Sequence, residues 1–127
     1  MKIVVYNFHE QYALSRAEVE VIYGVLPALC WARIRELHLA HSHPKQSESF
    51  EFSEALGIAY LIVPVKEKTA TLRTAAISDL LVGLARVKAR SHFFLPLRSN
   101  ERADYEEFAG EWTPKCEAAI DRLNAVV

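Results

Sequence analysis

Residues 69–90, TATLRTAAISDLLVGLARVKAR, constrain the fold of this chain more than any other stretch. Leu72, Ala76, Ile77, Leu80, Leu81, Leu84 and Val87 recur at three- and four-residue intervals, which on a helix of 3.6 residues per turn places them on one stripe. A stripe that apolar has to be covered. The spacing therefore predicts a central helix, capped by Thr69 or Thr71, and requires the rest of the chain to supply the surface it packs on.

Upstream of the helix the pattern is mostly strand-like. Ile3, Val4, Val5 and Tyr6 form a β-branched and aromatic run within residues 2–8, as a buried strand does. Residues 33–41 alternate, with Arg35, Leu37, Leu39 and His41 on one face and Ile34, Glu36, His38 and Ala40 on the other, which predicts a strand at the edge of a sheet. Phe50 and Phe52 alternate with Glu and Ser and predict a short strand with one wet face. The apolar run 58–65, bounded by Gly57 and interrupted by Pro64, has the length of a central strand. Between the first two strands, Ser15 and Glu18 form a capping-box pair that opens a helix through Val19, Ile22, Tyr23 and Leu26. Pro27 should divide that helix from a continuation over 29–31.

Downstream, Phe93, Phe94 and Leu95 are expected to pack beneath the central helix. Ser99 or Asn100 caps a helix over 101–112 in which Tyr105, Phe108 and Trp112 face the core, while Asp104, Glu106, Glu107 and Glu111 form a solvated face. Thr113 and Pro114 then read as the start of a separate last helix through Ala118, Ile120, Leu123 and Val126. The expected class is α+β: one domain over 1–127, with a small mixed sheet of three to four strands packed by the central helix and the C-terminal helices.

Composition narrows the function classes. Fifteen lysines and arginines against 16 acidic residues give no field to gather nucleic acid or an anionic membrane, so neither is expected as a partner. No run of 18 apolar residues is present, and the first residues lack the apolar core and cleavage site of a secretory signal, which makes a cytoplasmic location the expectation. Cys30 and Cys116 lie far apart and outside any C-x-x-C pair; reduced, structural thiols are expected. Only four glycines occur, scattered, so no phosphate-cradling loop is encoded.

The histidines are the first candidates for metal ligands. His9 and Glu10 invite comparison with HExxH, but Ala13 stands where the second histidine would be. His38, His41 and His43 cluster, yet no acid or cysteine stands in fixed register with them, and a loop of solvated imidazoles accounts for the same letters. No cofactor is expected. The cations Arg86, Lys88, Arg90, Arg98 and Arg102 gather around the end of the central helix and the connection that follows, and the helix dipole favours those in the last turn; a phosphate-binding patch is the sharper alternative.

The order of elements, with a central helix followed by an acidic one, resembles the small zincin-like metallopeptidase domains of bacteria and their mobile elements. In that family a helix carries HExxH, whose histidines hold zinc and whose glutamate activates water, and a further acidic ligand comes from the next helix. In ISDLLVGL, residues 77–84, the resemblance puts Ser78 at the first histidine, Asp79 at the general base and Val82 at the second histidine; ERADYEEFA, residues 101–109, matches the downstream segment with Glu101 at the third ligand. It implies a degenerate site. Neither a serine hydroxyl nor a valine methyl replaces an imidazole, and without a metal-bound water Asp79 has nothing to activate.

Three functions follow as expectations. The first is a non-catalytic zincin-like domain that binds a protein partner beside an edge strand, with 49–53 or 33–39 as that edge. The second is a hydrolase whose site escapes motif reading and uses His38, His41 or Asp79. The third is a small inhibitor or immunity-type protein defined by its partner.

Overall fold

The structure is a computed structural model and describes residues 1–6, 12–40, 49–63, 70–90 and 97–125. Its strands are β1 (Lys2–Val5), β2 (Glu36–Ala40), β3 (Phe50–Ser53) and β4 (Ile58–Ile62), and its helices are α1 (Arg16–Val25), α2 (Ala70–Lys88) and α3 (Ser99–Ala125). The α+β class is as expected.

The strands form one mixed sheet in the order β1-β2-β4-β3, with β1, β2 and β4 parallel and β3 antiparallel to β4. Period-two alternation sorts the side chains. Val5, Leu39, Leu61 and Phe50 pair across the four strands on one face, next to Ile3, Leu37, Ala59 and Phe52. That face joins a contiguous buried cluster with α2 and α3. Val4, His38, Tyr60 and Glu51 pair on the opposite face, where all four are only partly buried.

The order corrects one expectation: β2 lies between β1 and β4, so residues 33–39 are not an edge. Leu37, Leu39 and Ala40 are all buried, which fits an interior strand better than the alternation alone implied. Residues 49–53 do lie at an edge of the described sheet, as β3. The turn joining β3 to β4 closes on Gly57 at φ +68°, a conformation that favours glycine, and the Gly57 carbonyl accepts from the Arg35 N–H at 2.7 Å.

The capping box of α1 forms as read: the Ser15 hydroxyl accepts from the Glu18 N–H at 3.2 Å, and the Glu18 carboxylate accepts from the Ser15 N–H at 2.9 Å. Leu26 caps the far end and Pro27 leads into a 3-10 turn, Ala28–Cys30. In α2 the stripe is buried throughout except for the partly covered Leu72. Thr71 lies inside this helix rather than capping it, and Thr69 lies outside the described residues.

The break expected at Thr113 and Pro114 is absent, because α3 runs unbroken from Ser99 to Ala125 with Pro114 inside it. An internal proline costs about 3 kcal/mol. Burial on both sides offsets it: Ala109 precedes Pro114 while Cys116, Ala119 and Ile120 follow, holding α3 along both α2 and α1. The carbonyl that loses its helical donor belongs to Gly110, an exposed residue whose carbonyl water can reach.

One charged network joins the three helices. The Arg73 guanidinium of α2 pairs with Glu117 and, at 3.0 Å, with Asp121 of α3, and lies 4.0 Å from Glu18 of α1. Thr74 donates to Glu117 at 2.5 Å, and Asn124 reaches Glu18 at 3.5 Å.

Candidate functional site

Gly83 allows α2 to sit against the edge strand. A Cβ built there would lie 2.2 Å from the Phe50 ring, so only glycine lets that aromatic ring reach the helix backbone. Beside this contact opens a cleft of about 520 Å³, lined by Ser49 and Phe50 of the edge segment, by Ser78, Asp79, Val82, Gly83 and Arg86 of α2, and by Leu97, Arg102 and Glu106 at the start of α3.

Helical geometry explains the α2 wall. Positions 78, 79, 82, 83 and 86 fall on one face, adjoining the buried stripe, so the helix presents its apolar side to the sheet and its polar flank to the cleft. Ser78, Asp79 and Val82 are therefore brought together. Glu101 is not with them: it is partly buried but absent from the lining, and α3 contributes Arg102 and Glu106, one turn apart, in its place.

Asp79 is the partly buried carboxylate of this wall. The cleft's low polarisability pushes its carboxyl above the usual range, and a hydrogen bond from the Ser49 side chain works the other way. That bond also ties the edge segment to α2. Arg86 lies in the last turn of α2, in the basic group read around the end of that helix, and is 3% exposed and already engaged. Lys88, Arg90 and Arg98 remain exposed, so the five cations do not share one surface character. A further cation reaches the end of α2, beside its own Arg86 and Lys88: Arg33 donates to the Val87 carbonyl and pairs with Glu54. Arg86 was legible in register, standing four residues after Val82 and seven after Asp79. Which residues of α3 face the cleft was not, because nothing in the sequence fixes the rotation of α3 about its axis.

A zinc ion does not fit these residues. Ser78 and Val82 offer no nitrogen or thiolate, and among the described residues no group of three His, Cys, Asp or Glu side chains is arranged to hold a metal. His38 has both ring nitrogens engaged. Its Nε2 lies 3.0 Å from Glu36 Oε1, which accepts from it, and its Nδ1 lies 2.6 Å from the Tyr6 hydroxyl. The bond to His38 lowers the Glu36 pKa, while burial raises that of the Tyr6 phenol and keeps it a donor. Tyr60 packs edge-on against the same ring, and Tyr12 donates to the Tyr6 carbonyl. His9, Glu10, His41, His43 and Phe93 to Leu95 lie outside the described residues.

Both thiols are buried. Burial pushes Cys116 up to about 11 and raises Cys30, which leaves neither suited to act as a nucleophile. No described helix is long and apolar enough to cross a membrane. No protein-family model, curated protein or solved structure matches the chain.

Proposed function

We propose that this chain is a non-catalytic, zincin-like domain that binds a segment of a partner protein in the cleft between β3, α2 and α3. The observation that carries this is the lining of the cleft. An extended peptide presents both N–H and C=O groups, and the cleft offers partners for each: carboxylates on Asp79 and Glu106 as acceptors, and Arg102 with the Ser78 hydroxyl as donors. Phe50, Val82 and Leu97 add apolar surface for side chains between them. The absence of zinc-binding groups at Ser78 and Val82 supports binding without hydrolysis, and does so from donor chemistry alone.

Selection of linear peptides displayed on phage against the full chain tests this. Peptides that bind the wild type are expected to lose at least tenfold in affinity to Val82→Arg and to Ser78→Tyr, which fill the cleft, and to keep it with Tyr23→Arg on the exposed side of α1. Both cleft variants are first required to melt cooperatively. Binders indifferent to both, or no binders at all, would contradict the proposal, as would stoichiometric zinc surviving dialysis.

A further inference from the structure

We infer that the cleft holds a pocket for one cationic side chain, a lysine or arginine of the bound segment, with Asp79 as its counter-charge. This rests on the reading of the cleft as a protein-binding site and names the chemistry it selects. The charges lining the cleft are not equivalent. Arg102 and Glu106 stand one turn apart at the start of α3, both exposed, where water screens them and their opposite signs offset. Arg86 is 3% exposed and has its own interactions. Among the described residues Asp79 has a single partner, the Ser49 side chain, which is neutral.

A carboxylate taken partly out of water gains most from a charge-assisted bond, and one hydroxyl fills only one of its roughly four lone-pair positions. The surroundings fit a long cationic side chain rather than a bare ion. Phe50, Val82 and Leu97 border the same space and can cover an aliphatic stem, while the head group reaches the carboxylate. Ser78 precedes Asp79 on α2 and offers a second oxygen to an ammonium or guanidinium. Burial raises the Asp79 pKa, and a cation brought beside the carboxylate would act in the opposite direction.

The test titrates three small probes into the full chain and follows backbone amide shifts: the Nα-acetyl methylamides of lysine, norleucine and glutamate. The lysine probe is expected to move the amides of Ser78, Asp79, Val82 and Gly83 and to bind at least tenfold tighter than norleucine. Asp79→Asn is expected to bring the ratio of lysine to norleucine affinity down to about one, whatever it does to the two affinities together. Equal binding of lysine and norleucine, tighter binding of glutamate, or no shifts with any probe would each overturn the pocket. The two proposals separate cleanly: displayed peptides that bind in the cleft without basic residues would end the cation pocket and leave the protein-binding site standing.

Discussion

At single-residue scale the proposed binding turns on Asp79. Its folded pKa is raised, so the folded state holds the proton to higher pH than the unfolded chain. The associated stability is fully present below the unfolded pKa, about 3.9, and is lost as pH rises through the folded one. Asp79→Asn keeps an acceptor for Ser49 but carries no charge. Its melting temperature should exceed that of the wild type at pH 7 by on the order of a few degrees, and the gap should close by pH 3; a gap independent of pH would contradict the assignment. The thiols give a second residue-scale expectation. With Cys116 and Cys30 buried, a thiol reagent at pH 8 should label neither in the native protein and both in denaturant, whereas labelling of the native state within minutes would show an exposed thiol. At this scale the sequence was informative about α2, because helical register fixes Ser78, Asp79 and Val82 on one flank whatever they pack against. It did not disclose the burial of Arg86, since a basic residue near a helix end is ordinarily solvated and its burial depends on what else packs there.

Elements are held by contacts that the letters only partly disclose. The approach of β3 to α2 depends on Gly83, and Gly83→Ala should destabilise the fold by about 3 kcal/mol in urea denaturation, since the Phe50 ring has no flexible end to withdraw. Gly110→Ala, with nothing within 4 Å, should instead stabilise by about 0.5–1 kcal/mol; similar effects at both positions would contradict the packing described. Arg73 is the joint between helices. Arg73→Met leaves Glu18 and Glu117 without their cation and should cost about 3 kcal/mol, measured the same way, while a cost below about 0.5 kcal/mol would show the network to be solvated. The capping box of α1 and the stripe of α2 were legible because both are local. The continuity of α3 was not: Thr113 and Pro114 carry a sound local start signal, and burial on either side of the proline overrides it.

For the molecule as a whole, strand character could be read from alternation, but strand order could not. Residues 33–39 and 49–53 carry similar patterns, yet of the two only 49–53, as β3, lie at an edge of the described sheet, because β1 pairs alongside β2 in parallel after the intervening α1. That pairing is a long-range event with no local signature. The sheet order matters for function, since it puts the edge strand, rather than β2, beside Asp79 and the start of α3. The alternative to this cleft among the described residues is the opposite sheet face with Tyr6, His38 and Tyr60. Mapping amide shifts of the full chain on titration with its tightest selected peptide distinguishes them. The largest changes are predicted at residues 49–50, 78–86 and 102–106; changes centred instead on Glu36, His38 and Tyr60 would contradict a binding cleft between β3, α2 and α3.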